Sequence, residues 1–290
     1  MPELPEAESA RVVIERAALG RPIVAVDDTD TYVCRPFRPG QIAAALTGTT
    51  LTDAHRRGKT LWCDTAAGPV LGIHLGMSGK IVIAAPDGTE IDGGDYWEGR
   101  RIPGDYRWSR FALTFADGGT LRLVDPRRLG RIRLDPSLDE LGPDAATISA
   151  AEFAAAIRSG HAPVKARLLD QHALAGVGNL LADEILWRAG VNPARPVSTL
   201  GQPDVERLYQ ALRETIAQAL RDGGVHTLPL TPHRHPGGHC PRDGAELRRT
   251  TVGGRTTFWC PVHQPPWEEM ARKEKGQRSA VTSRPRSAQR

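Results

Sequence analysis

The stretch Leu169-Asp-Gln-His-Ala-Leu-Ala-Gly-Val-Gly-Asn179 indicates how the second half of the chain folds. Its glycines favour a tight turn, and the apolar spacing over residues 180–188 is that of a helix. Asn179 then takes the N-cap position, and the first backbone N–H groups of the helix face outward, where they bind a phosphate group. The alternative is a purely structural turn, for which glycine and asparagine are ordinary choices.

Helical periodicity continues on both sides of this turn. Ser149-Ala-Ala-Glu152 has the form of a capping box and precedes an apolar run over residues 153–157. Further helices are predicted over residues 164–171 and 204–221. Residues 145–223 are therefore predicted to form a helical domain.

The first half of the chain has a different period. Short β-rich runs bounded by glycine, proline or aspartate recur between residues 23 and 134, at 60–64, 80–84, 111–115 and 120–124. Residues 7–18 have the pattern of an amphipathic helix that packs beside these strands. The sequence thus predicts an α+β chain, with a β-rich domain over residues 1–135.

Length and charge restrict the partner. The 290 residues suffice for two lobes that each bury a core without a disulfide or a metal ion. Lysine and arginine total 38 against 34 acidic residues, which gives a net charge of +4. Basic residues gather at 55–59, 127–133 and 248–255. These segments favour an anionic partner if they share one face; each alone is equally an ordinary solvated surface.

Cysteine usage and hydropathy indicate the compartment. Four cysteines are too few and too scattered for the disulfide framework of a small secreted protein, which favours a reducing environment. No run approaches the roughly 18 apolar residues of a membrane span, and the first residues lack the apolar core of a signal peptide. We expect a cytoplasmic, monomeric protein with no membrane partner.

The opening Met1-Pro-Glu-Leu-Pro-Glu6 carries reactive groups. An initiator methionine before a small residue is commonly removed, and the secondary amine of Pro2 would then be free to form an iminium with a sugar aldehyde. An α-amino group has a pKa of about 7.7–8.0, so a useful fraction is nucleophilic near neutral pH. Glu3 and Glu6 are candidate acid and base beside it. The alternative is an exposed terminus without chemistry.

Four motifs, in this order and spacing, resemble those of the formamidopyrimidine-DNA glycosylase and endonuclease VIII family. They are Met1-Pro-Glu-Leu-Pro-Glu6, His74-Leu-Gly-Met-Ser-Gly79, Asp125-Pro-Arg-Arg-Leu-Gly130 and the stretch 169–179. The opening hexapeptide is more similar to the glycosylase branch. The resemblance covers residues 1 to about 264. It implies a β-sandwich N-terminal lobe, a helix-two-turn-helix lobe and a zinc-finger-like hairpin over residues 235–264, with damaged double-stranded DNA bound between the lobes. Residues 265–290 are predicted to be a basic, disordered tail.

The resemblance also assigns roles to residues. Pro2 matches the nucleophile that attacks C1′ of the damaged nucleotide and leaves a Schiff base, after which β,δ-elimination nicks the strand. Glu3 matches the acid that protonates the sugar ring oxygen, Glu6 a further carboxylate near the damaged nucleotide, and Lys59 a hairpin lysine that contacts phosphate and supports catalysis. Such an enzyme is a bifunctional DNA glycosylase and AP lyase of base-excision repair.

DNA contacts follow from the same resemblance. Asn179 and Lys165 match the residues that grip the phosphate beside the lesion, and Arg255 matches the finger arginine. The residues that match the positions filling the space left by the flipped base are Met77, Arg127 and Leu129. Position 129 is usually phenylalanine in the glycosylase branch, so Leu129 departs from the pattern.

The expected metal site is also divergent. Cys240-Pro-Arg-Asp243 and Cys260-Pro-Val-His263 stand where the family has Cys-x-x-Cys twice. Cys240, Asp243, Cys260 and His263 are acceptable ligands for one Zn²⁺ ion per chain, with His239 or His235 as alternatives to Asp243. The other possibility is a metal-free hairpin held by packing around Phe258 and Trp259.

The preferred lesion is left open by the sequence. The loop over residues 223–238 looks shorter than the loop that covers 8-oxoguanine in the family, and its sequence is unrelated. Residues 92–108 form an extra segment with Tyr96, Trp97, Tyr106 and Trp108. This segment is either an aromatic platform for a base or an ordinary surface insertion. Three functions therefore remain: excision of oxidised or ring-opened purines, excision of oxidised pyrimidines or bulky adducts, and non-catalytic binding of damaged DNA.

Overall fold

The computed structural model describes residues 2–96 and 102–266. The helices in these ranges are α1 (Leu4–Ala17), α2 (Gln41–Leu46), α3 (Ala150–Arg158), α4 (Val164–Leu169), α5 (Asn179–Ala189) and α6 (Gln202–Asp222). The strands are β1 (Ile23–Asp27), β2 (Leu51–Arg57), β3 (Thr60–Thr65), β4 (Leu71–His74), β5 (Lys80–Ala84), β6 (Glu90–Gly94), β7 (Ser109–Phe115), β8 (Thr120–Val124), β9 (Arg131–Leu134), β10 (Arg248–Val252) and β11 (Arg255–Trp259). Among the described residues, no helix is both long and apolar enough to cross a bilayer.

Two antiparallel sheets form the N-terminal lobe. One sheet has the strand order β1-β7-β8-β5-β6 and the other β2-β3-β4-β9. Apolar side chains from both sheets share one buried core, among them Leu61 and Ile73 from the second sheet and Phe111 and Leu121 from the first. Helix α1 adds Ile14 to the same core. The alternating strands therefore bury one face against each other, as the period-two pattern requires.

A helical lobe follows, with its own core. Helices α3 to α6 surround a cluster of buried aliphatic side chains and Phe153. Leu4, in the first turn of α1, belongs to this second core rather than to that of the sandwich. Its backbone N–H donates to Gly176 O at 3.2 Å. The start of α1 thus lies at the junction of the two lobes.

The C-terminal hairpin of β10 and β11 packs against the helical lobe. Phe258, Cys240 and Cys260 form a small buried core with Trp187 of α5 and Leu230. A two-glycine turn, Gly253-Gly254, joins the strands with positive φ angles of 58° and 71°. Left-handed backbone at both positions favours glycine and suits a tight hairpin turn. Arg255 stands directly after this turn.

Most elements agree with the sequence. The α+β class, the four predicted strands and the four predicted helices of the second half are confirmed. Helix α1 begins at Leu4 and not near residue 7, because proline is tolerated in the first helical turn and Pro5 occupies it. The short helix α2 was missed. Trp97 and residues 267–290, which make up nearly all of the predicted tail, lie outside the described residues.

Candidate active site

Three groups at the start of α1 are withdrawn from solvent. Pro2 is buried, Glu3 is 0% exposed and Glu6 is 3% exposed. Acidic side chains are seldom fully buried unless they are paired. The partners of the two carboxylates therefore define the site.

Glu3 binds the start of helix α5. Its Oε2 accepts hydrogen bonds from the N–H groups of Gly178 at 2.9 Å and Leu181 at 3.1 Å. Its Oε1 accepts from the N–H of Leu180 at 2.8 Å. The carboxylate thus sits where unpaired N–H groups and the positive end of the helix dipole favour negative charge.

This arrangement corrects the interpretation of the turn at 176–179. The helix is capped by Gly178, and Asn179 is its first residue rather than its N-cap. The expectation that the first N–H groups face outward to a phosphate is wrong, because the Glu3 carboxylate occupies them. Asn179 instead donates from Nδ2 to Thr256 O at 3.0 Å.

Burial raises the pKa of Glu3 above its usual value, although Lys59 and the three N–H donors oppose the shift. The pKa of Glu6 rises from 4.5 to about 7, again mainly through burial. Glu6 Oε2 accepts from the N–H of Glu3 at 2.9 Å, and Oε1 accepts from the N–H of Val225 at 2.7 Å. Glu6 therefore ties the N-terminal segment to the loop that follows α6. A carboxyl with such a raised pKa is suited to exchange a proton near neutral pH.

Lys59 lies beside these carboxylates. Its Nζ donates to Val177 O at 2.9 Å. Burial lowers the pKa of Lys59, and the positive charge of Arg255 lowers it further, whereas Glu3 raises it. The electrostatic coupling of Lys59 to both Glu3 and Arg255 shows that the structure gathers residues from three distant segments into one site.

Asp144 holds the Lys59 hairpin in place, and the sequence interpretation missed it. Its Oδ2 lies 2.5 Å from Arg56 Nη1 and accepts from the N–H of Gly58 at 2.6 Å. Asp144 directly follows Gly142-Pro143, between the predicted β-rich domain and the predicted helical domain. A carboxylate directly after a Gly-Pro pair is the sequence signal that could have identified it.

Lys165 is buried beneath the hairpin that carries Arg255. Its Nζ lies 2.6 Å from Asp183 Oδ1 and donates to Thr257 Oγ1 at 2.8 Å and Thr256 O at 3.1 Å. The side chains of Lys165 and Asp183 are both 0% exposed. Two N–H groups of the ammonium thus bond to the threonines, and the Asp183 carboxylate balances its charge. The structure therefore directs Lys165 at the hairpin backbone, whereas Arg255 is exposed.

The loops that carry Met77, Arg127 and Leu129 meet through a buried carboxylate. Asp125 accepts from Ser78 Oγ at 2.5 Å, from the N–H of Arg127 at 3.1 Å and from the N–H of Gly130 at 2.7 Å. Met77 is 37% exposed and Arg127 is exposed, whereas Leu129 is partly buried. The structure thus brings the three predicted void-filling residues into two touching loops.

The four expected metal ligands converge. One ligand atom from each of Cys240, Asp243, Cys260 and His263 lies within 4.8 Å of all the others. His263 Nδ1 is 2.8 Å from Asp243 Oδ2 and 3.9 Å from Cys240 Sγ, and Cys260 Sγ is 3.2 Å from Asp243 Oδ2. Tetrahedral Zn²⁺ with bonds of about 2.0–2.3 Å separates its ligand atoms by roughly 3.3–3.8 Å. The donor set suits such an ion, and the distances lie on both sides of that range, so small side-chain shifts would complete the site.

The proposed substitutes for Asp243 lie elsewhere. His235 Nδ1 is 3.0 Å from Pro236 O, and His239 pairs through its backbone with Glu246. Neither belongs to the group of convergent ligand atoms found among the described residues. The geometry therefore favours Asp243 as the carboxylate ligand.

Comparisons with known proteins agree on one family. The model of the formamidopyrimidine-DNA glycosylase N-terminal domain matches residues 1–132, and that of the formamidopyrimidine-DNA glycosylase H2TH domain matches residues 141–228. A formamidopyrimidine-DNA glycosylase of Nocardioides sp. is 35% identical, over 91% of this chain and 95% of its own. One of Arabidopsis thaliana is 32% identical, over 91% of this chain and 71% of its own.

Comparison with solved structures indicates the same family. The Lactococcus lactis Fpg in complex with FAPY-dG-containing DNA has a TM-score of 0.76 and 27% identity, and the match covers 91% of this chain and all of that one. The same protein in complex with DNA that contains an oxidised pyrimidine has a TM-score of 0.75 at 27% identity, with the same coverage.

The contact between Gly178 and Glu3 gives a first prediction. A Cβ atom at Gly178 would lie 2.3 Å from Glu3 Cδ, although the backbone there has φ −115°, which alanine adopts freely. Gly178→Ala should therefore displace the Glu3 carboxylate and slow strand cleavage at an abasic site about 10- to 100-fold. Gly201→Ala, at the glycine cap of α6, is the matched control, because its nearest atoms are 3.6 Å away. Equal rates for the two variants in single-turnover assays would contradict this account.

The raised pKa of Glu6 predicts a pH-dependent stability. Below pH 4.5 the carboxyl is protonated in both folded and unfolded chains. Between 4.5 and about 7 only the unfolded chain ionises, so the free energy of unfolding falls as pH rises. The loss attributable to Glu6 is about 3 kcal/mol. Urea unfolding of the wild type and Glu6→Gln at pH 5 and pH 8 measures it. An identical pH dependence in the two proteins contradicts the shift.

Proposed function

This chain belongs to the formamidopyrimidine-DNA glycosylase family, which makes it a DNA glycosylase of base-excision repair with AP lyase activity and damaged DNA as its partner. From this premise we propose that the secondary amine of Pro2, freed by removal of Met1, is the nucleophile. The observation that carries the proposal is the position of Pro2 beside two buried carboxylates at the junction of the lobes.

The first step exchanges one bond at C1′ for another. The lone pair of the Pro2 nitrogen forms the N–C1′ bond, and the bond from C1′ to the base breaks, so the base leaves with the bonding electrons and takes up a proton. Opening of the sugar ring then gives an iminium between Pro2 and C1′. The iminium acidifies a proton at C2′, and its removal expels the 3′ phosphate in β-elimination. The conjugated iminium that results acidifies the proton at C4′, and its removal expels the 5′ phosphate in δ-elimination.

Glu3 is the acid that protonates the sugar ring oxygen in this proposal. Its raised pKa favours the protonated form that such a step requires, and its bonds to α5 fix its position. Glu6 lies on the same helix with a pKa of about 7, which suits it to relay protons around the damaged nucleotide. Lys59 carries positive charge close to both and is the proposed contact to the phosphate that flanks the lesion.

Arg255 is the proposed phosphate contact of the hairpin. Its exposed guanidinium can pair with a phosphate in bidentate fashion. Lys165 and Asn179 stabilise its position, because both donate hydrogen bonds to the backbone carbonyl of the next residue, Thr256. We therefore assign Lys165 a positioning role behind Arg255.

The damaged base is an oxidised or ring-opened base in this proposal. Met77, Arg127 and Leu129 lie on two joined loops at the surface and are the side chains that enter the duplex when the nucleotide flips out. The Lactococcus lactis relative is described in complex with both a FAPY-dG lesion and an oxidised pyrimidine. Both lesion classes therefore belong in the test.

Zn²⁺ is the proposed cofactor of the hairpin. Cys240, Asp243, Cys260 and His263 would hold it, and the ion would supply rigidity rather than reactivity. Trp187 Nε1 and the N–H of Arg242 lie 3.3 and 3.4 Å from Cys240 Sγ, contacts that orient this sulfur toward the other three ligands. The fixed hairpin in turn presents Arg255.

Blocking the terminal nitrogen tests the nucleophile. In a chain that keeps an uncleaved extension before Pro2, this nitrogen is a tertiary amide without a nucleophilic lone pair. Borohydride should trap the processed protein on duplexes with an abasic site, 8-oxoguanine, formamidopyrimidine or an oxidised pyrimidine, and should trap the extended protein on none. Binding of both proteins to a duplex with a tetrahydrofuran abasic analogue checks folding. Binding without trapping by the processed protein would instead indicate a non-catalytic reader of damage.

Metal analysis tests the hairpin. The purified protein should contain about one zinc per chain, and Asp243→Asn should lower that content because it replaces a charged ligand. His235→Ala is the control and should keep its zinc. Chelation should weaken binding to the tetrahydrofuran duplex by increasing the dissociation rate. Loss of zinc in His235→Ala, or no zinc in the wild type, would contradict the assigned ligand set.

A further inference from the structure

Two aromatic rings from different lobes stack near Glu6. Tyr96 follows β6, and His226 lies in the loop after α6. Their ring centroids are 3.7 Å apart and their planes differ by 11°. Parallel stacking at this distance buries one face of each ring, yet Tyr96 remains 54% exposed. A planar aromatic surface is therefore open to solvent at the junction of the lobes.

His226 is tied to the candidate active site. The neighbouring Val225 donates its N–H to Glu6 Oε1 at 2.7 Å. A Cβ atom at Gly224 would lie 2.6 Å from Glu6 Oε1 and 3.1 Å from His226 Nδ1, so one small space separates the imidazole from the carboxyl. Burial lowers the pKa of His226, which keeps the ring neutral at pH 7 and suited to stacking. Its buried Nδ1 has no hydrogen-bond partner among the described residues.

The backbone just before Tyr96 is hydrogen-bonded to helix α1, which begins two residues after Pro2, and to the loop of Met77. Just before it, the N–H of Gly94 donates to Ser9 Oγ of α1 at 2.9 Å. The N–H of Asp95 donates to Gly79 O at 3.0 Å, two residues after Met77. The backbone that carries Tyr96 is thus bonded both to the loop of Met77 and to α1, the helix that contains Glu6.

We propose that the Tyr96–His226 stack is a specificity-determining wall of the pocket for the flipped base. A base leaving the duplex past Met77 meets the exposed face of Tyr96, and stacking on an aromatic ring holds planar heterocycles whatever their hydrogen-bonding edge. His226 backs the ring and fixes its tilt. This inference rests on the proposed function and adds to it the group that receives the base.

The stacking surface of Tyr96 affects which lesion the enzyme prefers. Stacking strength grows with the area of overlap, so bicyclic 8-oxoguanine gains more from Tyr96 than a saturated, non-planar oxidised pyrimidine. The pair therefore favours planar purine lesions and supplies a contact that does not depend on the sequence of the loop over residues 223–238.

Single-turnover kinetics of Tyr96→Ala and Tyr96→Phe test the wall. On an 8-oxoguanine duplex, Tyr96→Ala should release the base about tenfold more slowly than the wild type. Tyr96→Phe keeps the ring and should stay within about twofold of the wild type. On a duplex with a preformed abasic site, where no base needs a pocket, both variants should cleave at the wild-type rate, which also shows that they fold.

Three other outcomes would contradict either the role of the stack or the chemistry of Pro2. Equal slowing of Tyr96→Ala on the base-containing and abasic duplexes would make the stack a structural contact between lobes and overturn the inference. Unchanged base release would overturn it as well. Failure of the wild type itself to cleave the abasic duplex would contradict the proposed chemistry of Pro2 and not the wall.

Discussion

The rest of the site depends on one buried contact, that of the Glu3 carboxylate with the first N–H groups of helix α5. It joins residue 3 to residues 178–181, and it fixes the N-terminal segment at the junction of the lobes. Leu4 enters the core of the helical lobe, whereas the later turns of α1 pack on the sandwich. The donors and the positive potential of the helix start offset part of the cost of burying this ionisable group, although burial still raises the pKa of Glu3. The same contact holds Glu3 next to Pro2, so the structural role of Glu3 coincides with its proposed chemical role.

A second buried charge pair organises the other side of the site. Lys165 and Asp183 are both fully buried, and Asp183 Oδ2 also accepts from Arg234 Nη2 at 2.7 Å and from the N–H of Phe258 at 3.1 Å. Breaking such a pair by removing one partner is costly because the other charge stays behind. Helix α5 thereby holds Glu3 at its first turn and the Arg255 hairpin through Asp183. One helix thus aligns the groups expected to attack the sugar and those expected to grip the phosphate.

The sequence predicted which residues come together in the site, but not which hydrogen-bond partners they have there. Strand and helix periods gave the two lobes, and the four motifs pointed to the side chains that the structure gathers. The turn before α5 was misinterpreted because a local pattern assigns its N–H groups to a ligand, whereas Glu3, 175 residues earlier, takes them. Asp144 and the Tyr96–His226 stack were not predicted for the same reason, because their partners are distant in sequence. The convergence of Cys240, Asp243, Cys260 and His263 was predictable because its spacing lies within two short segments.

The central claim is that the Pro2 nitrogen, and not the neighbouring Lys59 ammonium, forms the covalent bond to the sugar. Both groups are amines at one site, and both would give a borohydride-stable adduct. Proteolysis of the reduced adduct followed by tandem mass spectrometry assigns the modified residue directly. The account predicts that the sugar remnant is found on the N-terminal peptide, at Pro2. A remnant on the peptide that contains Lys59, with Pro2 unmodified, would contradict it.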